Sequence, residues 1–298
     1  LFRSPLLCRD RGTVETASGK VSKILLTSDA ADEEKENRII NKIDPKFKWH
    51  LKTDKSCKIK IPETFKYIDD CILYRKHNDL SKFRNIIQEH GGESVAKYIT
   101  TKPLSFSKKE SKHKHFINLF LQSENLLVGI KELFEKNMCH FDIKSDNAVY
   151  NENKKRFNFI DFGLTRPIDD VQNFDALWRA YWVWPLDVWL CYNDHAKKYI
   201  HTNKHTALLD RVYYHYMTSY AKTVVLNHCA GLGNPYLDCL NNTTKISEYN
   251  DYIKTHSYPT FIRRVSESID TFSLGIMYMQ MMVAFTGEKF NIGLCTLN

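Results

Sequence analysis

Two short polar segments constrain the fold of this sequence more than any other feature. The first spans residues 140–147 and reads His-Phe-Asp-Ile-Lys-Ser-Asp-Asn, and the second, 161–163, reads Asp-Phe-Gly. Thirteen residues separate the two segments. Carboxylate, amide and ammonium groups gathered at one place can position a phosphate, hold divalent cations and accept a proton. We therefore expect a fold that brings the two segments together.

The two segments resemble the catalytic loop and the magnesium loop of eukaryotic-type protein kinases, which read H-R-D-L-K-x-x-N and D-F-G. The neighbouring sequence predicts the elements that this family has there. A helix over 116–138 leads into the loop, and a polar turn at 151–156 is followed by a short strand over 157–160. The helix is predicted by apolar residues that fall largely on one face: Ile117, Phe120, Leu121, Leu126, Leu127, Ile130, Leu133 and Phe134.

Further upstream, residues 20–26 alternate in the manner of a β-strand, and Lys23 matches the V-A-I-K lysine of the family. In the family this lysine contacts the α- and β-phosphates and is held by a glutamate on the next helix. We predict that helix over 32–43 and take Glu36 as the glutamate. Glu33 and Glu34 remain alternatives.

The phosphate-covering loop matches least well. Of the family pattern G-x-G-x-x-G-x-V, only Gly12 and Val14 are present in residues 7–14. The missing glycines matter because glycine lets backbone N–H groups approach a phosphate closely. Arg9 and Arg11 could supply charge instead, or nucleotide would be held weakly.

Downstream, residues 268–275 resemble the family's D-x-W-S-L-G, which implies that Asp270 bonds the backbone of the catalytic loop and opens a buried helix. The segment around Pro185 is the best match to A-P-E. Residues 191–264 exceed what the family needs between these motifs, so we interpret them as an insertion. Members of the family normally have several more helices after the Asp270 helix, so we expect a fragment or a trimmed large lobe.

The resemblance implies an α+β, two-lobed protein-kinase-like fold, with a small β-rich lobe over 1–107 and a mainly helical lobe over 108–298. It implies ATP-dependent transfer of the γ-phosphate to Ser or Thr hydroxyls of protein substrates, with ATP and Mg²⁺ as cofactors. By this resemblance, Asp142 accepts the hydroxyl proton, Lys144 neutralises charge, and Asn147 and Asp161 bind the metal ions. Lys23, held by Glu36, contacts the α- and β-phosphates, and Gly12 belongs to the loop that covers them. Val14, Val21 and Val149 enclose the adenine.

Two other readings of the same residues stay open. A pseudokinase that binds or scaffolds would explain the missing glycines, although the five polar residues that meet metal or phosphate are all present. A small-molecule kinase of the aminoglycoside or choline type would share the fold, although Lys144 and the complete Asp-Phe-Gly favour a protein kinase. The departures and the short small lobe also resemble those of divergent kinases from large DNA viruses.

Composition narrows the partners and the compartment. Eight scattered cysteines without a C-x-x-C pair indicate reduced thiols rather than zinc or disulfides, as is typical of a cytoplasmic or nuclear protein that is not secreted. The net charge is +8, and basic residues are concentrated in residues 108–115, which we interpret as a solvated linker and not as a nucleic-acid surface. No apolar run is long enough for a membrane span. The sequence predicts protein substrates but neither their identity nor an oligomeric state.

Phe141 stands where the family has the Arg of H-R-D, which in many members pairs with a phosphate on the activation loop. A phenyl ring offers nothing to a phosphate, so we expect Phe141 to pack against apolar neighbours. Between Gly163 and Pro185 the only hydroxyl side chains are those of Thr165 and Tyr181. The sequence therefore predicts an activity that needs no loop phosphorylation, with the loop held by the packing of aromatic and apolar side chains. Those side chains are Phe174, Leu177, Trp178 and Trp182.

Overall fold

The computed structural model describes residues 20–54, 56–58, 76–77, 79–173, 183–185, 188 and 258–287. These residues form a mixture of helices with small antiparallel sheets. This content is consistent with the α+β, kinase-like fold that the sequence predicts. The arrangement in two lobes stays a prediction.

The first sheet has the strand order β1–β3–β2, formed by β1 (Lys20–Leu26), β3 (Phe83–Glu89) and β2 (Cys57–Lys58). The predicted strand over 20–26 is confirmed. Helix α1 (Thr27–Ile43) follows β1 directly, so it begins five residues before the predicted position. This direct junction fixes the helix against the strand that carries Lys23. A short 3₁₀ helix, Leu80–Lys82, precedes β3.

The second sheet joins β4 (Glu93–Ser94), β6 (Ala148–Asn151) and β7 (Arg156–Phe159), in the order β4–β6–β7. The predicted turn and strand after the catalytic loop are thereby confirmed, with the turn at 152–155. The third sheet pairs β5 (Met138–Cys139) with β8 (Arg166–Pro167). The segment 140–147 thus lies between β5 and β6, and both of its ends are anchored by strand pairing.

Three helices connect the first two sheets to the loop: α2 (Val95–Thr101), α3 (Lys109–Gln122) and α4 (Glu124–Glu135). A 3₁₀ helix, Lys102–Ser105, follows α2. The prediction of a single helix over 116–138 is wrong, because the helix is interrupted at Ser123. The Ser123 hydroxyl donates to the Phe120 carbonyl, which the next helical turn would otherwise use as an acceptor.

The predicted apolar face of this helix is only partly correct. Leu126 and Leu133 are buried as expected, together with Leu119, whereas Ile117 and Leu121 are 55% and 66% exposed. The break at Ser123 rotates the two halves relative to one another, so a single face cannot serve both. The basic residues 109–115 form the first two turns of α3, and the expectation of a linker there was wrong.

Helix α5 (Tyr258–Thr286) is the longest in the described part of the chain. Asp270 therefore lies near its middle, and the expectation that this residue opens the helix was wrong. The last residues of the predicted insertion, 258–264, form its first two turns. Among the described helices, none is both long and apolar enough to cross a bilayer.

One large core joins α1, α2, α3, α4, the second sheet and α5. It brings Ile40 of α1 together with Phe162, as the sequence predicts for the column that His140 also contacts. Ile143 of the catalytic loop lies in the same cluster. The core therefore packs against both polar segments through Ile143 and Phe162. The 3₁₀ helix Ile168–Asn173 also contacts α5.

Candidate active site

The backbone of the catalytic loop is held by Asp270 of α5. One carboxylate oxygen accepts from the His140 N–H at 2.7 Å and the other from the Phe141 N–H at 2.9 Å. Asp270 is buried, and burial raises the pKa of its carboxyl, while the two backbone N–H bonds favour the charged form. The predicted contact between Asp270 and the loop backbone is confirmed.

Phe141 adopts a left-handed backbone conformation, with φ of 62°, and its side chain is fully buried. A non-glycine residue in this region costs about 1–2 kcal/mol, so surrounding contacts must hold it there. Its ring lies 6.0 Å from that of Trp184. The expected packing of Phe141 against an apolar neighbour is confirmed.

Asp142 is the centre of a cluster of polar side chains. Its carboxylate accepts from Lys144 Nζ at 2.9 Å and 3.1 Å and from Asn147 Nδ2 at 2.6 Å. Asn147 Nδ2 also donates to the Asp142 carbonyl at 3.0 Å. The carboxylate is largely buried, so an ammonium and an amide at this distance hold it in one orientation.

The amide orientation of Asn147 leaves an oxygen for a cation. Its nitrogen makes both bonds to Asp142, which directs the amide oxygen away from that residue. The Asn147 carbonyl accepts from the Ile160 N–H at 2.9 Å, so the loop is joined to the residue preceding Asp161. Amide and carboxylate oxygens suit Mg²⁺, which commonly takes one or two protein ligands alongside phosphate oxygens. Asn147 and Asp161 therefore fit the ligand chemistry of Mg²⁺.

Asp161 also has a left-handed backbone, with φ of 61°. The turn after it is closed by the Thr165 N–H, which donates to the Phe162 carbonyl at 2.9 Å. The Phe162 ring lies 4.9 Å from the His140 ring and 6.2 Å from the Trp49 ring. The side chain of Phe162 thus turns into the core while Asp161, partly exposed, lies at its edge.

His140 is a neutral structural residue at this site. Its ring is fully buried, and burial lowers its pKa. Nδ1 accepts from the Asp142 N–H at 3.3 Å, so the proton is assigned to Nε2. His140 is therefore positioned to shape the loop and not to exchange protons.

The ion pair of Lys23 differs from the prediction. Lys23 Nζ lies 2.5 Å from Glu33 Oε2, so Glu33, one of the two alternatives, replaces Glu36 as its partner. The physical reason is the direct junction of β1 with α1, which places Glu33 opposite the strand. The other alternative, Glu34, accepts from the Ser56 N–H at 2.5 Å.

Glu36 lies instead beside the Asp-Phe-Gly turn. A side chain on Gly163 would begin 3.4 Å from Asp161 Oδ1 and 4.0 Å from Glu36 Oε2, so both carboxylates border this glycine. Burial and then the negative charges of Glu33, Asp161 and Asp32 raise the pKa of Glu36 to about 7. The Glu36 carboxyl therefore holds its proton to a higher pH than an exposed glutamate does.

Val21 and Lys23 have the same side-chain direction on β1, because side chains of a strand alternate. Val149 of β6 is buried, and its Cγ2 atom lies against Gly91. Gly12 and Val14 lie outside the described residues. The same holds for the predicted loop contacts of Phe174, Leu177, Trp178 and Trp182.

Sequence reasoning missed two glycines that join the first sheet to the second. A Cβ on Gly91 would lie 2.5 Å from Val149 and 2.6 Å from Leu51, and a Cβ on Gly92 would lie 2.0 Å from the Tyr150 carbonyl oxygen. Gly92 has φ of 98°, which only glycine adopts readily. The Gly-Gly dipeptide just after a strand was the available signal. These residues bring backbone against Val149 without any intervening side chain.

Trp184 was also missed, because only Pro185 of that segment matched the family. Its indole Nε1 donates to the Phe141 carbonyl at 2.8 Å. Among the described residues, no three His, Cys, Asp or Glu side chains group into a metal site of their own.

Comparisons with known proteins do not identify a family for this chain. No family model matches the chain, and no curated protein matches it. Among solved structures, the chain is similar to the crystal structure of a kinase domain from Plasmodium, with a TM-score of 0.41 and 12% identity over 89% of each chain. A likeness this low carries no argument about the function of this chain.

Proposed function

We propose that this chain is an ATP-dependent protein kinase that transfers the γ-phosphate to Ser or Thr hydroxyls of protein substrates. One observation carries the proposal: Lys144 and Asn147 both bind the carboxylate of Asp142, on a loop whose backbone Asp270 holds. Phosphoryl transfer needs positioned charge and a proton acceptor more than covalent chemistry, and this cluster offers both.

Asp142 is the proposed acceptor of the hydroxyl proton. Lys144 donates to both of its oxygens, so the ammonium is near enough to neutralise charge on a phosphoryl group that approaches Asp142. We assign the serine/threonine class because a Lys two residues after the catalytic Asp resembles that branch of the family. Protein acceptors that carry acidic residues suit the net charge of +8.

Asn147 and Asp161 are the proposed ligands of Mg²⁺, which when bound would neutralise the phosphates of ATP. Lys23 is the proposed contact of the α- and β-phosphates, with Gly12 in the covering loop. Val14 and Val21 would lie on one side of the adenine and Val149 on the other.

We also propose the two-lobed division of the chain. The pairing of Glu93–Ser94 with β6 ties residues from 93 onward to the sheet that carries Val149. This contact favours a boundary near Gly92, earlier than the boundary after residue 107 that the sequence indicated. We propose a cytoplasmic or nuclear location on the strength of the cysteine pattern alone.

The test is phosphate transfer from labelled ATP, with Mg²⁺, to a panel of acidic and basic proteins. We expect label on Ser or Thr, and an Asp142→Asn variant that binds ATP but transfers at least about a hundredfold more slowly. Nucleotide binding without transfer to any acceptor would contradict the proposal and favour the pseudokinase. Transfer to aminoglycosides or choline but to no protein would favour the small-molecule kinase.

A further inference from the structure

The carbonyl group of Phe141 is held by an indole. Trp184 Nε1 donates to the Phe141 oxygen at 2.8 Å, and the two rings pack at 6.0 Å with an interplanar angle of 63°. Phe141 is fully buried and Trp184 is 2% exposed, so water does not compete for this bond.

The segment that carries Trp184 is itself attached to α5. Ser273 Oγ donates to the Val183 carbonyl at 2.7 Å, and Ser273 is fully buried. The Val188 N–H donates to the Pro185 carbonyl at 3.2 Å, which closes a turn after Trp184. The indole is therefore fixed by its own backbone and not only by its ring packing.

The same helix holds the other side of Phe141. Asp270 lies one turn before Ser273 on α5 and accepts from the Phe141 N–H at 2.9 Å. The N–H and the C=O of Phe141 are thus both bound, one directly by α5 and the other through residues 183–184. Two fixed polar groups on one residue can hold its left-handed backbone, with φ of 62°, against the cost of that conformation.

The Phe141 carbonyl belongs to the peptide group that ends at Asp142. Because a peptide group is planar, fixing this carbonyl also fixes the direction of the Asp142 N–H and hence the position of its Cα. The Asp142 carboxylate, bound by Lys144 and Asn147, is carried on that backbone.

We propose that Trp184 is a positioning residue for Asp142, and that it orders the catalytic loop where relatives use an arginine and a loop phosphate. This proposal rests on the proposed function and concerns the regulation of that activity. The Trp184–Phe141 bond joins two neutral groups, so it needs no added phosphate. Phosphorylation of the segment after Gly163 then has no cation at position 141 to bind.

The experiment compares Trp184→Phe with Ser273→Ala and with Tyr278→Phe. Trp184→Phe keeps an aromatic ring and removes the N–H, whereas Ser273→Ala removes the bond to Val183 and leaves Trp184 intact. Tyr278→Phe is the matched control: it removes from α5 a hydroxyl that lies 2.8 Å from Ser123 Oγ, on a ring that contacts Phe120 of α3. Each variant is assayed for kcat, for KM of ATP and for hydrogen exchange of residues 139–147.

We expect Trp184→Phe to lower kcat by about tenfold or more with KM of ATP changed less than about twofold, because the base is misplaced and the nucleotide contacts are intact. Hydrogen exchange of the catalytic loop should rise. Ser273→Ala should have a smaller effect of the same kind, and Tyr278→Phe should change neither quantity. Phosphatase treatment of the wild-type protein should leave its rate unchanged.

An unchanged kcat and unchanged loop exchange in a folded Trp184→Phe protein would overturn the proposal, and so would a large loss of wild-type rate on phosphatase treatment. If Trp184→Phe does not fold, the Ser273→Ala variant decides by the same two readouts. If the wild-type protein transfers no phosphate, the proposed function fails, and loop exchange alone then decides whether Trp184 positions Asp142.

Discussion

Lys144 Nζ lies 2.9 Å and 3.1 Å from the two carboxylate oxygens of Asp142. The ammonium therefore spans the carboxylate and fixes its plane, while Asn147 Nδ2 adds a third hydrogen bond at 2.6 Å. Charge-assisted bonds of this kind are shorter and stronger than those between neutral groups. In the proposed phosphate transfer, a substrate hydroxyl would meet a carboxylate that is already oriented, so little reorganisation would remain for the chemical step.

Asp161→Asn should abolish phosphate transfer and leave the fold intact. The substitution removes a negative ligand from the proposed Mg²⁺ site, and we expect at least about a hundredfold loss of kcat. Asp161 is partly exposed, so stability should change by less than about 0.5 kcal/mol. Asp146→Asn is the control, since Asp146 lies on the same loop but is exposed. Full turnover by a folded Asp161→Asn protein would refute the assignment.

Lys23→Met should lower kcat/KM for ATP by about a hundredfold, because the proposed contact with the α- and β-phosphates is lost. Lys20→Met should have less than about a twofold effect. Lys20 is on the opposite side of β1, where it pairs with Asp54 at the surface at 2.7 Å, and exposed pairs contribute little. Steady-state kinetics on the two variants measures the difference. The reverse order of effects would mean that the side chains of β1 face the other way.

Glu33, and not Glu36, should be coupled energetically to Lys23. The single and double variants of Lys23→Met with Glu33→Gln should be non-additive, by roughly 1 kcal/mol in the free energy of unfolding, because the two side chains form one ion pair. Lys23→Met with Glu36→Gln should show a smaller coupling. Urea unfolding measures both cycles without reference to activity. Stronger coupling to Glu36 would show that Lys23 changes partner in solution.

Stability should fall as the pH rises through about 7. The folded-state pKa of Glu36 is raised from 4.5 to about 7, so the folded protein prefers the protonated carboxyl. The stability that the protonated Glu36 carboxyl contributes to the folded protein is therefore fully present below about pH 4.5 and is lost as Glu36 ionises near pH 7. Because Glu36 is partly exposed, we expect about 1–2 kcal/mol, less than the full shift would imply.

Unfolding midpoints measured from about pH 5 to about pH 9 give the dependence of stability on pH. Glu36→Gln should flatten the profile over that range, since its amide does not titrate. Glu34→Gln is the matched control on the same helix. A wild-type profile that Glu36→Gln leaves unaltered would assign the effect to another group.

Local patterns in the sequence predicted the elements that depend on neighbouring residues. The strand Lys20–Leu26 and the turn between β6 and β7 follow from alternation and from turn residues, and both are confirmed. The contact between Asp270 and the loop was accessible through the family resemblance. These features need no knowledge of how distant segments pack.

The errors come from tertiary packing. Glu33 and Glu36 are three residues apart on α1 and face similar directions, so only the placement of the helix on β1 selects between them. The start of α5 was missed because its first turns, with Pro259, Arg263 and Arg264, lack a continuous apolar face. Pro259 is tolerated near a helix start, where its missing N–H has no intrahelical partner.

The bond from Asp270 to His140 joins residues that are 130 positions apart in the chain. Bringing such distant segments together carries a loop-closure cost that local pairing does not. During synthesis at about 5–20 residues per second, the catalytic loop would emerge roughly 10 seconds before its support exists. The polar centre of this protein can therefore be completed only after residue 270 has been synthesised. A nascent chain that stops short of residue 270 would contain every proposed catalytic residue and still lack the helix that arranges them.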